Sequence, residues 1–213
     1  MEGRNRFRLL AVTTSLVLAA LQPAGAIASN FGSNTASGGT PAHACDTTTS
    51  SQCIANNGTH VFCFSAVGSS IVADTRTIMT NDYEALSSIT TSEQSCTCST
   101  CSLDLQIFDA DYNTSFWAWT ACASGATFGG SDPRRWCKPQ NLKWDLGTAS
   151  AWNTTAGRQY IACHEVGHSL GLRHSGDTTS CMFPNRITTH VLTSHDQSML
   201  TTWYGSLAAT TEP

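Results

Sequence analysis

The chain has 213 residues, a net charge of −4, only 12% charged residues and ten cysteines. That length suits one domain with a proper core. An acidic chain with scattered Lys and Arg has no electrostatic footprint for nucleic acid.

The first 28 residues read as a secretory signal peptide. Arg4, Arg6 and Arg8 form a basic start, residues 9–21 an apolar run, and Ala26-Ile27-Ala28 a small-x-small cleavage site. A membrane anchor fits less well, because the run is short and Pro23 breaks it. No later segment is apolar and long enough to span a bilayer, so the mature chain is expected to have no membrane span, to be extracellular, and to be a monomer. Three of the 11 basic residues and one of the 15 acidic ones fall in the signal, so the remainder is more acidic still. Export to an oxidising compartment turns the cysteines into disulfide candidates. Residues 29–51 are Ser, Thr, Gly, Ala and Asn with few apolar residues, a flexible lead-in. Residues 52–213 are expected to form a single folded domain.

Within that domain, residues 60–67 (HVFCFSAV) alternate as a strand does. Residues 70–86 space their apolar side chains as a helix. Residues 92–101 (SEQSCTCSTC) are a cysteine-dense loop. Strands are expected at Leu103, Leu105 and Ile107, at residues 116–122 (FWAWTAC) and, after a Gly/Ser loop, at residues 141–146. Asn153, Thr154 and Thr155 offer caps for a helix over 156–170, and Gly171 stands where a C-terminal glycine belongs. A last helix is expected with Ser194 as cap and Gln197 at the reciprocal position, ending near Tyr204. Asn57, Asn113 and Asn153 begin sequences that fit the glycosylation acceptor pattern.

The segment IACHEVGHSLGLRHSGDTTSCM, residues 161–182, concentrates the chemistry. His164 and His168 are four apart, which on a helix puts them on one face, about 6 Å apart along the axis. Glu165 lies one step round, placed to reach a water held by a metal rather than the metal itself. This is the H-E-x-x-H arrangement of zinc hydrolases. Gly171 allows a left-handed exit from the helix that returns His174 as a third nitrogen. A closed structural zinc site takes four protein ligands. This string supplies three, leaving one position for water.

The string His164-Glu165-x-x-His168-x-x-Gly171-x-x-His174 resembles that of the metzincin clan of zinc endopeptidases. Thr179-Ser180-Cys181-Met182 is similar to the clan's methionine-containing turn. Ser175, Met182-Phe183-Pro184 and the ending Trp203-Tyr204-Gly205 resemble the matrixin branch. The resemblance runs from about Ala156 to Gly205. It implies an α+β zincin fold, in which a twisted mixed sheet carries the ligand helix, followed by a small C-terminal part with a final helix. It also implies one Zn²⁺ on His164, His168 and His174, Glu165 as general base, Met182 packed beneath the histidines, and protein or peptide substrates. The sequence departs from the branch in three ways. It has no cysteine in a P-R-C-G-like context, it has Pro184 where other branches have a tyrosine, and it has more cysteines.

If the methionine turn lies under the helix, Cys163 and Cys181 are natural disulfide partners. Cys122 and Cys137 bracket the Gly/Ser loop and are expected to staple two strands. The pairing of Cys45, Cys53, Cys63, Cys96, Cys98 and Cys101 is not readable from spacing, and disulfides are favoured there over a thiolate metal site. His43, His60, His190 and His195 lack ligand spacing and read as surface or capping residues. Asp104, Asp109 and Asp111 could offer oxygens to Ca²⁺, though a solvated strand end is the simpler reading. Phe116, Trp117 and Trp119 could line a cleft, but their alternation favours a strand with a core face and a surface face. The function expected is that of a secreted zinc endopeptidase. The alternatives are a non-catalytic disulfide-rich binding module and a zinc amidase acting on cell-wall peptides.

Overall fold

A computed structural model describes residues 53–98, 102–130, 136–185 and 190–205. The signal and the lead-in lie outside the described residues. In chain order the elements are β1 (Thr59–Ser65), α1 (Ser69–Ile78) running into a π-helical turn (Met79–Glu84), β2 (Thr90–Glu93), β3 (Leu105–Ala110), β4 (Ala118–Gly129), β5 (Trp136–Asp145), a 3₁₀ turn (Leu146–Ala151), α2 (Thr155–Ser169) and α3 (Ser194–Tyr204). Among the described residues no helix is long and apolar enough to cross a membrane.

The five strands form one mixed sheet in the order β2-β1-β3-β5-β4, with β4 antiparallel to β5 and the other pairs parallel. Period-two alternation puts Phe62, Leu105, Ile107, Leu142 and Trp144 on one face, all buried. Helices α1 and α2 cover that face, and α2 rests on β4 and β5. This is the α+β arrangement the sequence implies, with the ligand helix laid across the sheet. β4 runs on to Gly129, past the point where its glycines and serine suggested a loop. Its pairing shifts register between Cys122 and Thr127, and Gly125 has a positive φ of 78°. A bulge, and not a loop, is how the strand absorbs those residues.

Helix α2 begins where the sequence placed it. The Thr154 hydroxyl accepts from Gly157 N at 3.1 Å. A Cβ on Gly157 would collide with the Trp152 carbonyl, so glycine is what lets the first turn sit on the buried Trp152. Arg158 Nε donates to Asp74 at 2.5 Å and joins α2 to α1. The helix ends in a Schellman turn: Gly171 N donates to His168 O and Leu172 N to Gly167 O, with Gly171 at φ 97°.

Helix α3 starts one residue earlier than Ser194 suggested. Thr193 is the cap and Asp196, not Gln197, completes the reciprocal box. Both registers fit the pattern. The Thr193 register prevails because the buried Asp196 carboxylate also accepts the Ser180 hydroxyl at 2.7 Å, a tertiary bond that Gln197 does not make.

His60 corrects a third expectation. It is fully buried, on the same face as Phe62, and bonds Ser169 Oγ through Nε2 at 2.9 Å. Ser169 Oγ gives its own proton to Val166 O, so the imidazole Nε2–H is the donor, and Nδ1 is left without a partner. Burial pulls the His60 pKa down to about 4. Unfolded chains bind this proton below about 6.5, and the folded chain does so only below about 4. Stability from this group is therefore complete above pH 6.5 and is lost as pH falls toward 4. The loss reaches about 3 kcal/mol. Urea unfolding of the metal-free protein at pH 7.5 and pH 4.5 should show a smaller acid loss in His60→Gln than in the wild type. An equal loss in both would refute the assignment.

Candidate metal centre

His164 and His168 project from α2 four residues apart, and the Schellman turn brings His174 back to them. The ring centroids lie 4.6 Å (His164–His168), 5.1 Å (His164–His174) and 5.0 Å (His168–His174) apart. One nitrogen from each ring falls within 4.8 Å of the other two. His164 Nδ1 donates to Cys181 O at 2.7 Å and His168 Nδ1 to Leu172 O at 2.8 Å. A carbonyl can only accept, so both rings carry their proton on Nδ1 and both Nε2 atoms present bare lone pairs. Those two lone pairs face each other at 3.0 Å. Two neutral acceptors that close repel unless a cation lies between or beside them.

Burial lowers all three imidazole pKa values. His164 falls to about 4, helped by the nearby His174 and opposed by its bond to Cys181. His168 falls well below 6.5, through burial first and then its neighbours. His174 falls by burial. All three are thus neutral at physiological pH, the state a metal requires. Glu165 is buried and its pKa is raised to about 7 by desolvation, against hydrogen bonds from Thr120. Its Oε2 has no partner within the protein. Thr120 Oγ1 also donates to the Glu165 backbone carbonyl at 3.0 Å, tying α2 to β4.

Beneath this cluster lies Met182, fully buried. A Cβ at Gly167 would strike Met182 Sδ and crowd Tyr83 Oη, so only glycine there lets the methionine pack against α2 between the two ligand-bearing turns. Gly167 was not singled out in the sequence, although a glycine inside a helix carrying ligands on both sides is a signal of close approach. Three further ties hold the methionine segment in place. Cys163 and Cys181 are bonded. The Asp196–Ser180 pair extends to Met182 N, which donates to Ser180 Oγ at 2.9 Å. Tyr160 Oη bonds the carbonyls of Phe183 at 2.9 Å and Asn185 at 3.2 Å. The sequence alone assigns no role to Tyr160 and marks Asp196 only as part of the ending that resembles the matrixin branch; each acts through the fold.

The metal cluster opens into a cavity of about 400 Å³ whose other walls include Phe116, Trp117, Trp119, Tyr160, Ile161 and Pro184. Phe116 and Trp117, just before β4, and Trp119, within it, therefore line the cleft. The expected alternation holds from Ala118, where pairing starts: Trp119 lies inside β4 opposite Lys143, between the buried Ala118 and Thr120, whereas Phe116 and Trp117 precede the paired strand. The segment following Met182 is described as far as residue 185 and again from residue 190.

Cys122–Cys137 is bonded as expected, and Cys63 pairs with Cys96. Cys53 and Cys98 are disulfide-bonded as well. The sulfurs of Cys53, Cys122 and Cys137 cluster as oxidised cystines and not as a metal site. Cys45, Cys101 and His43 lie outside the described residues. Asp104, Asp109 and Asp111 do not pool their carboxylates. They accept from Val61 N, Gly68 N and Asn113 N respectively, three separate bonds of which only the last is local. His190 Nδ1 lies 3.7 Å from Asp82, and His195 sits in α3.

The matrixin family model matches residues 99–205, and the chain belongs to that family of zinc metallopeptidases. Matrix metalloproteinase-26 of Homo sapiens is 36% identical over 89 residues, covering 36% of this chain and 32% of that protein. The chain thus spans about a third of that relative's length. The structure of myroilysin aligns over 70% of this chain and 80% of its own at 12% identity, with a TM-score of 0.45.

Two measurements check the centre. Purified protein should carry one zinc per chain, and His174→Ala should weaken zinc affinity at least about 100-fold. Undiminished affinity would remove His174 from the site. Replacing Cys163 and Cys181 together by serine opens an 18-residue separation and should cost about 3 kcal/mol in urea unfolding. A loss below about 1 kcal/mol would mean the bond does not brace the helix.

Proposed function

We propose that this chain is a secreted zinc-dependent endopeptidase in which Glu165 is the general base. The observation that carries the reading is the triplet of neutral imidazoles, His164 buried and His168 and His174 half-buried, next to a carboxylate with an unpartnered oxygen, at the foot of a cavity open to solvent. His164, His168 and His174 would hold the ion. Three nitrogen ligands leave a coordination position open, the mark of a catalytic and not a structural zinc site. Bound there, zinc supplies a Lewis acid that lowers the pKa of a water toward about 7 and polarises a carbonyl.

The chain's own residues do the rest. Glu165, with a pKa near 7 in its buried setting, takes a proton from the attacking water and hands it to the leaving amine. Its free Oε2 is the acceptor. The Thr120 contacts and the β4 backbone fix the carboxylate's helix turn, so the proton transfer needs no rearrangement. The Nδ1 bonds to Cys181 O and Leu172 O keep both rings in the tautomer that leaves Nε2 bare throughout. Strand β4 is the edge of the sheet, and its first residues line the cavity. An extended peptide laid along it would gain main-chain hydrogen bonds without a sequence requirement. Disulfides at Cys63–Cys96, Cys122–Cys137 and Cys163–Cys181 suit an extracellular setting.

Glu165→Gln tests the assignment, because it keeps the shape and removes the base. The variant should retain one zinc per chain and lose about 10³-fold or more in kcat on a casein or peptide substrate. Cleavage at the wild-type rate with zinc retained would overturn the role of Glu165.

A further inference from the structure

Asp82 and His190 meet where the π-helical turn after α1 packs against the residues that lead into α3. Asp82 is only 8% exposed, and its Oδ2 lies 3.7 Å from His190 Nδ1. Both atoms are cut off from solvent, and among the described residues neither has a hydrogen-bond partner. Peptide hydrolysis at Glu165 uses neither of them. A carboxylate oxygen held out of water without a donor is costly. Burial pushes the Asp82 pKa up, and the nearby His190 pulls it back down. At 3.7 Å the two atoms are too far apart for a hydrogen bond.

The spacing suits a shared metal ion. Donors on one tetrahedral ion, with bonds of about 2.0–2.1 Å, stand about 3.4 Å apart. The His190 side chain is 42% exposed, so a small shift of its ring closes the difference. With the ring proton on Nε2, Nδ1 offers a lone pair. An imidazole nitrogen beside a carboxylate oxygen suits Zn²⁺, Co²⁺ or Ni²⁺, whereas Mg²⁺ and Ca²⁺ take oxygen ligands throughout. The exposed flank of the ring gives an ion a way in and leaves its other positions to water. The surroundings also favour a cation. Burial raises the Tyr83 pKa well above its usual range, and the carboxylates of Asp82, Asp196 and Glu165 raise it further, so three acidic groups act on one buried ring. The Met79–Glu84 turn that presents Asp82 is π-helical, a rare form found frequently at functional sites.

We propose that Asp82 Oδ2 and His190 Nδ1 are the protein ligands of a second site for a divalent transition-metal ion such as Zn²⁺, completed by water and separate from the His164–His168–His174 triplet. Two protein ligands hold an ion less tightly than three, so this site fills after the triplet, when free ion rises. An ion there acts on the floor of the metal centre. Val191 follows His190 directly, and its carbonyl accepts the Cys181 N–H at 2.9 Å. Cys181 O in turn holds the His164 Nδ1 proton. Joining His190 to the π-helical turn steadies that series of bonds from outside and couples free zinc to the rigidity of the centre. The site does not depend on the peptidase reading.

The test starts from full-length protein dialysed to one zinc per chain and titrates Zn²⁺ into it by calorimetry. The wild type should take up a second equivalent. Asp82→Asn and His190→Gln should each weaken that second uptake about tenfold or more and keep the first zinc. Excess Ca²⁺ should leave it unchanged. Circular dichroism checks that both variants are folded. Thermal unfolding gives an independent readout. With free Zn²⁺ at about 100 times the second dissociation constant, the unfolding constant of the wild type should fall about 100-fold, and that of Asp82→Asn about tenfold or less. If the wild type takes up no second equivalent, or if that uptake survives both substitutions, the site is refuted and the two residues form an ion pair only. Displacement by Ca²⁺ would refute the imidazole ligand. Neither measurement involves cleavage, so an inactive protein would sink the peptidase reading and leave this result standing.

Discussion

Two backbone carbonyls, Cys181 O and Leu172 O, each hold the Nδ1 proton of a histidine on α2, and everything at the centre follows from where those protons sit. With Nδ1 committed, both Nε2 lone pairs turn into one small volume, 3.0 Å apart. The chain tolerates that repulsion because both carbonyls belong to rigid pieces. Leu172 is fixed by the Schellman turn at Gly171. Cys181 is fixed by its disulfide and by its N–H bond to Val191 O. A site that must hold an ion without moving needs supports of this kind.

The methionine segment is the second rigid piece, and several unrelated contacts converge on it. Gly167 opens the gap that Met182 fills. Asp196 closes the cap of α3 and bonds Ser180, which orients Met182 N. Tyr160 reaches over to the carbonyls of Phe183 and Asn185. Tyr204 Oη donates to Leu170 O at 2.7 Å, so the end of α3 also buttresses the exit from α2. The small part beyond Gly171 thus serves as the floor of the metal centre, and α3 is folded against the ligand helix rather than appended to it.

Much of this was legible in the residues. The spacing of His164, His168, Gly171 and His174 fixes a helix face and a left-handed turn, both of which are local backbone properties. The Cys163–Cys181 pair followed once the methionine turn was placed beneath the helix. What escaped depends on which element meets which. His60 looked like a surface histidine because its partner, Ser169, is remote in sequence, though its alternation with Phe62 pointed to the core face. Asp196 displaced Gln197 as the box residue because of a tertiary bond to Ser180. Phe116, Trp117 and Trp119 alternate as a strand would, yet pairing with β5 begins only at Ala118, so Trp119 belongs to the strand while Phe116 and Trp117 lie ahead of it at the cleft. The pairing of Cys63 with Cys96 required the β1–β2 register, which cysteine spacing does not encode.

The most direct test of this account is the X-ray absorption fine structure of the zinc-loaded protein. The geometry predicts three imidazole nitrogens and one light oxygen ligand at about 2.0–2.1 Å, with no sulfur. A sulfur shell near about 2.3 Å, or only two imidazoles, would contradict a centre built from His164, His168 and His174.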